Sequence, residues 1–472
     1  MGEGNLKLLS PVLLQWLENL EETTELRKDS ESAKIQSVTL DLPIFYKACN
    51  PSQPVKNQQY YIDFSSVRSS DIIKTFKHHI AVISPDKPTC QLFTGHIGCG
   101  KSTELLRLKS DLEQEGFHVV YFESSYDIDM ADVDVTDILL SIAGKVSESV
   151  ESNNIRLHPG FFANLFTEIA GFLQIPIGFS TEAELSINIG KITTKTKESP
   201  KLRRRLRQYL EPRTSLILHS INQELLGKAN TALKQRGKAG LVLLVDNLDR
   251  VDFRPLPSGR SQQEYLFIDR GDQLRKLNCH VVYTIPLELT FSNDCEILKD
   301  RLGGGIPPKV LPMVPVKRQN GEEHTEGMEL LRQMVMVRAF PDESLEKLPE
   351  LILEVFDTPE TLDRLCSISG GHLRNLLGLL LGCVMQDDPP FSREALEVAI
   401  RDRRYYLLSS IDDDEWELLF QVMKKQTLRD DIEHNILMRS MFVFEYRDLH
   451  GQWFDINPIL AESRKFQSLS RK

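Results

Sequence analysis

Gly95-His96-Ile97-Gly98-Cys99-Gly100-Lys101-Ser102 is the stretch whose reading decides the fold. It has the form Gly, any four residues, Gly-Lys-Ser/Thr. The residue types suit a cradle for phosphate. Successive backbone N–H groups must turn inward toward anionic oxygens, and glycine takes the required dihedrals without steric cost. Lys101 brings a cation to the outer phosphates, and the Ser102 hydroxyl is suited to ligating Mg²⁺. Thr103 opens a predicted helix, whose N-terminal dipole favours negative charge. The flanks agree. Gln91-Leu92-Phe93-Thr94 reads as a strand entering the loop, and Leu105, Leu106, Leu108 and Leu112 share one side of a helix over 103–116. Gly95 to Thr103, with His96, Ile97 and Cys99 included, is the candidate nucleotide-binding segment.

A second motif follows downstream. Gly240-Leu241-Val242-Leu243-Leu244-Val245-Asp246-Asn247-Leu248-Asp249-Arg250 contains five consecutive apolar residues ending in an acid. Such a run is a buried strand delivering Asp246 to the carboxyl edge of a parallel sheet, where ligands bind in open α/β folds. Asp246 is the expected Mg²⁺ partner of Ser102. His280-Val281-Val282-Tyr283-Thr284 reads as another buried strand, ending in the polar Thr284, and 310–314 as a last one.

Composition places these motifs in an ordinary globular chain of 472 residues, with 41% hydrophobic and 26% charged residues, long enough for several domains. A net charge of −11 argues against a protein that coats nucleic acid indiscriminately. The seven cysteines include neither a CxxC pair nor a zinc-spaced cluster, and suit free thiols in a reducing compartment. The polar Met1-Gly2-Glu3-Gly4-Asn5 start lacks a secretory pattern, and the longest apolar run, 376–385, is too short to span a bilayer. A cytoplasmic location is expected.

Other segments carry weaker signals. A short amphipathic helix is predicted over 11–17, with Leu13, Leu14, Trp16 and Leu17 on its apolar face, and a linker over 21–34. Asp127, Asp129, Asp132, Asp134 and Asp137 lack the glycine and terminal Glu of a calcium loop and read as a solvated loop before a helix. Leu185, Ile187 and Ile189 alternate as in a strand. Lys191, Lys195, Lys197, Lys201, Arg203, Arg204, Arg205 and Arg207 form the one dense basic run and open a long helix predicted to continue to Lys234; nucleic-acid contact and a solvated face both remain open. Beyond 322 the pattern is helical, with a break at Gly370-Gly371-His372-Leu373-Arg374. Two strands then flank Asp448-Leu449-His450-Gly451.

This order of motifs resembles the AAA+/STAND superfamily of P-loop ATPases, and within it bacterial ATPases related to origin-recognition and NLR-like proteins. The resemblance implies an α/β P-loop NTPase with a parallel sheet, a helical lid and a C-terminal winged-helix domain. It implies an accessory segment at 1–58, a core at 59–320 carrying an insertion at about 150–235, a lid at 321–400 and a winged helix at 401–472. It implies ATP and Mg²⁺ as ligands, and an oligomeric switch or motor in regulation or anti-phage defence. It assigns Arg374 to the γ-phosphate and Thr284 to the polar strand end beside it, with Lys101 on the phosphates. Many family members carry Glu directly after the strand-end Asp; here Asn247 stands there, and an amide cannot act as a base. Asp249 is then the candidate for polarising water. Arg270, Arg275 and Arg301 are candidates for an arginine acting on a neighbouring subunit's nucleotide. A homo-oligomer and a protein partner are expected, and no membrane. The alternative is a module in which nucleotide is structural and the winged helix binds DNA or protein. The acids Asp430, Asp431 and Glu433 at the start of its recognition helix would be repelled by DNA phosphates.

Overall fold

The computed structural model describes residues 40–68, 70–155, 161–175, 185–428 and 432–470, so the helix expected at 11–17 and the linker at 21–34 lie outside them. Its centre is a five-stranded sheet in the order β2-β3-β4-β1-β5, formed by β1 (Cys90–Thr94), β2 (His118–Glu123), β3 (Leu241–Asp246), β4 (His280–Thr284) and the short β5 (Lys309–Val310). All its pairings are parallel. Every residue of β1, β3 and β4 is buried. That matches continuous apolar runs, since a parallel sheet is covered on both faces by its crossover helices.

One sheet face packs against the helices between β2 and β3, through residues such as Ile138, Ile142, Ile189 and Ile221. The other face gathers Ile72, Ile73 and Phe76, then Leu105, Leu108 and Leu112 of the helix Lys101–Gln114 that follows the glycine loop. The hairpin of β6 (Val443–Arg447) and β7 (Gln452–Ile456) joins this same core through Phe444, Tyr446 and Trp453. A third core unites the lid helices Thr325–Ala339, Pro359–Ile368 and Leu373–Val384 with Arg393–Leu408 and the winged-helix elements. Phe45 and Cys49 from the segment before the sheet are buried there too. The helices Asp413–Lys425 and Ile432–Arg439 followed by the hairpin make the winged-helix module. Among the described residues, no helix is long and apolar enough to cross a membrane.

Two expectations are corrected. Residues Leu185–Glu198 form a helix, not a strand. The buried positions are Asn188, Ile189, Ile192 and Thr196, spaced as on one helix face, whereas Ile187 is 49% exposed. Ile187 and Ile189, two apart, fall on different sides of the helix, so their alternation in sequence does not mark a strand face. The long helix predicted from the basic run to Lys234 starts anew at Ser199-Pro200 and is irregular: Pro200–Leu210 passes through a 3₁₀ turn, Glu211–Arg213, at Pro212 into Thr214–Ser220, and the π-helical Ile221–Leu226 carries it on to Gly227–Gln235.

The basic run and the acidic run, far apart in sequence, meet. Arg203 is buried and donates to Asp129 Oδ2 at 2.7 Å and Asp132 Oδ2 at 3.0 Å. Arg207 pairs with Asp132 at 2.6 Å and Asp137 at 2.6 Å. Arg254 adds a third guanidinium on Asp132, whose pKa falls to about 2: burial opposes the fall, and the hydrogen bonds from Arg207 and the other arginines outweigh it. The acids are therefore neither a solvated loop nor a calcium site. Asp134 also caps the helix Val135–Ser152 in a capping box with Asp137.

Gly370 and Gly371 have φ of +63° and +70°. A Cβ at Gly371 would run into the Val314 carbonyl oxygen, so Gly371→Ala should cost about 2–4 kcal/mol through strain and overlap combined. Gly378, exposed on the helix Leu373–Val384 with open space around it, is the contrast: Gly378→Ala should stabilise by about 0.5–1 kcal/mol. Urea unfolding of the two variants checks both signs.

Candidate nucleotide site

The loop Gly95–Gly100 leaves the carboxyl end of β1 and enters the helix at Lys101. Its glycines Gly95, Gly98 and Gly100 all have positive φ, at 148°, 93° and 110°. Lys101 is buried, and its Nζ donates to Gly95 O at 2.6 Å and His96 O at 2.9 Å. It also pairs with Asp249 Oδ2 at 2.9 Å. Burial acts to lower the Lys101 pKa, and the Asp249 carboxylate outweighs it, leaving a net rise. Cys99 is buried beneath the loop, where its carbonyl accepts from Arg68 Nη2 at 2.7 Å. Thr103 Oγ1 accepts from Val55 N, tying the segment before the sheet to the loop.

Asp246 stands at the end of β3, beside the loop. Its Oδ2 accepts from Tyr121 OH at 2.9 Å and its Oδ1 from Asn247 N at 2.7 Å, and the neighbouring Ser102 hydroxyl acts to lower its pKa. Burial, then the Asp249 charge, raises its pKa. Asp249 Oδ1 is buried without a hydrogen-bond partner. A hydroxyl and two carboxylates that repel one another suit a hard divalent cation, which would relieve the repulsion. The residues present fit such a cation, which Ser102 and Asp246 would hold.

One cleft collects these groups. Its polar end is lined by Gly98, Gly100, Lys101, Ser102, Thr103, Glu123, Asp246, Asn247, Asp249, Arg250 and Arg374. The segment before the sheet and the lid add Pro54, Val55, Tyr60, Ile62, Met334 and Leu377, along with Gln53, Glu104 and Arg338. A cleft that joins apolar wall to charged groups suits a ligand that carries both. Arg374, on the first turn of its helix, meets no carboxylate among the described residues. Burial, then the neighbouring Arg250, presses its pKa down. Two such guanidiniums at one end of a cleft invite an anion. Sequence reasoning missed Arg250, Glu123 and the apolar wall at 51–64. Arg250 adjoins a recognised motif and could have been flagged; the wall has no motif and depends on the chain folding back over the loop.

Thr284 does not line this cleft. Its hydroxyl accepts from Leu248 N at 3.0 Å and lies 3.4 Å from Val245 O, so it holds the turn that carries Asp249. Arg270, Arg275 and Arg301 are bonded within their own neighbourhood, to Tyr265 OH, Asp300 O and Ile268 O, and are absent from the cleft.

The loop is gripped from outside. His372 of the lid bonds Ile97 O through Nε2 at 2.8 Å and accepts Asn375 N at Nδ1. Arg374 N donates to Gly98 O at 3.2 Å. A Cβ at Gly98 would lie 2.8 Å from Arg374 Cβ and from His372 Nε2. His96 Nε2 accepts from Glu445 N of β6 at 2.9 Å, and Phe444 packs against both His96 and His372. Both rings must be neutral to make these bonds. Burial drives the His96 pKa down to about 3 and that of His372 to about 4, against an ordinary 6.5.

Two expectations follow. First, the unfolded chain takes up the histidine protons before the folded one. The stability they contribute is complete above pH 6.5 and is lost as pH falls from there through about 4 for His372 and about 3 for His96. Urea midpoints at pH 7.5 and 5.0 should differ less in His372→Gln than in the wild type. Second, Lys101→Ala should weaken Mg·ATP binding at least tenfold by equilibrium dialysis. Asp246→Asn should weaken only the metal-dependent part, and Asp249→Asn should leave binding within about threefold, because a charged contact contributes about 1.5–3 kcal/mol where it touches ligand.

No family model matches the chain, and no curated protein matches it. Similar solved structures include the Aeropyrum pernix ORC1 protein in complex with DNA, 14% identical over 89% of this chain and 96% of that one, with a TM-score of 0.34. Drosophila ORC bound to DNA is 11% identical over 97% and 99%, with a TM-score of 0.36. CDC6P from Pyrobaculum aerophilum is 12% identical over 90% and 97%, with a TM-score of 0.35. The chain's own parallel sheet, glycine loop, helical lid and winged-helix hairpin make it a P-loop fold of the AAA+ type.

Proposed function

We propose that this chain is a Mg²⁺-dependent ATPase that acts as a nucleotide-governed switch. The observation that carries the reading is the double engagement of the loop. Ile97, Gly98 and Gly100 line the cleft, while the Ile97 carbonyl is bonded to the lid and the His96 ring to the winged-helix hairpin. Phosphate entering the loop draws Lys101 away from Asp249 and from the Gly95 and His96 carbonyls. The bonds that hold His96 to Glu445 and Ile97 to His372 then feel the change directly. Lys101, Arg250 and Arg374 neutralise the phosphates, and Ser102 and Asp246 hold the metal. When bound, Mg²⁺ supplies charge stabilisation to the phosphates. Asp249, released from Lys101, accepts a hydrogen bond from the attacking water. Thr284 keeps its turn in place. Positioning and electrostatics carry the catalysis.

The alternative of a nucleic-acid module is less well supported. Arg203 and Arg207 of the basic run are spent on acids, and Arg439 of the winged helix is turned inward onto Glu288. A ligand shifts assembly only by binding one state better. ATP, with its γ-phosphate at the lid arginine, should therefore raise the oligomeric state more than ADP does. Light scattering after size exclusion, at micromolar protein in apo, ADP and non-hydrolysable ATP-analogue states, tests this. Equal masses in all three would reject the oligomeric switch.

A further inference from the structure

The position after the strand-end Asp246 holds an amide, and that amide has a defined task. Asn247 adopts a left-handed conformation, with φ 66° and ψ 9°. Its Nδ2 donates to Glu123 Oε2 at 2.8 Å and to Ser125 Oγ at 3.2 Å. Glu123 is the last residue of β2 and lies in register with Asp246 on β3, so both carboxylates leave the sheet at the same edge. Glu123 lines the same cleft as Ser102, Asp246 and Asp249. Among the described residues no lysine, arginine or histidine pairs with it. Asp249, by contrast, is engaged by Lys101 at 2.9 Å.

We infer that Glu123 is a further hydrolytic carboxylate of this site, with Asn247 as the residue that positions it. This rests on the ATPase reading above. A water attacking the γ-phosphate has two O–H bonds, and two acceptors hold it with a lone pair toward phosphorus. Asp249 is one and Glu123 the other. As the water oxygen bonds to phosphorus, the bond from phosphorus to the β,γ-bridging oxygen breaks and ADP leaves with that electron pair. The water's proton passes to the Glu123 carboxylate and then to solvent, leaving inorganic phosphate. Acid and amide are thus distributed over two adjacent strands, the acid on β2 and the amide on β3. One hydrogen bond fixes their mutual placement, and the free Glu123 oxygen stays available to water.

The test uses the full chain with Mg·ATP, measuring binding by equilibrium dialysis with a non-hydrolysable analogue and turnover by phosphate release. Glu123→Gln should bind within about threefold of wild type and lose roughly a hundredfold in turnover, the usual scale for a general base. Asn247→Ala should bind normally and lose less. In the Glu123→Gln background it should lose nothing further, because a positioning residue acts only through the group it holds. Glu123→Gln turning over within threefold of an active wild type overturns the inference and leaves the ATPase reading standing. Loss of binding together with turnover in Glu123→Gln also overturns it, since Glu123 would then serve metal or fold. A wild type that does not bind Mg·ATP overturns the ATPase reading instead.

Discussion

A buried ammonium needs anions or dipoles around it, and the rest of this site is arranged around how Lys101 meets that need. It has two carbonyls of its own loop and one carboxylate, Asp249. A buried pair of this sort contributes little net stability, because desolvation offsets most of the attraction. Under the proposed function a phosphate would take Lys101 from Asp249, whose carboxylate lines the cleft with its second oxygen unpartnered.

The loop is where the cleft, the lid and the winged-helix hairpin meet. Its inward side must present N–H groups, which requires positive φ at Gly95, Gly98 and Gly100. Its carbonyls are thereby turned outward, where His372 and the Arg374 backbone N–H bond them, while the His96 ring takes the Glu445 N–H. The absence of a Cβ at Gly98 lets the lid approach this closely. Phe444, seated against both histidines, draws the winged-helix hairpin into the same core as the sheet. The loop thus meets the lid through its backbone carbonyls and the winged-helix hairpin through the His96 ring.

Some features were written in the sequence at short range. The eight residues 95–102 and the apolar run ending at Asp246 determine the loop, the two strands and the edge at which they meet, because each depends on neighbours a few residues away. Glycine dihedrals and five consecutive apolar residues carry their meaning locally. Lys101, Ser102, Asp246 and Arg374 could be named from pattern and resemblance, and all four line one cleft.

Tertiary structure decided what depends on partners distant in the chain. A basic run and an acidic run each look like solvated faces, and only folding shows that Arg203 and Arg207 neutralise Asp129, Asp132 and Asp137. Thr284 ends its strand as a polar residue should, and the register of β4 beside β3 turns its hydroxyl to the backbone of the next turn. Glu123 is one more acid at a strand end until parallel pairing sets it beside Asp246 and Asn247. Charge and polarity are local properties of a sequence. Whether a given charge meets its opposite, a water or a ligand is settled by distance in space, which only the packed chain specifies.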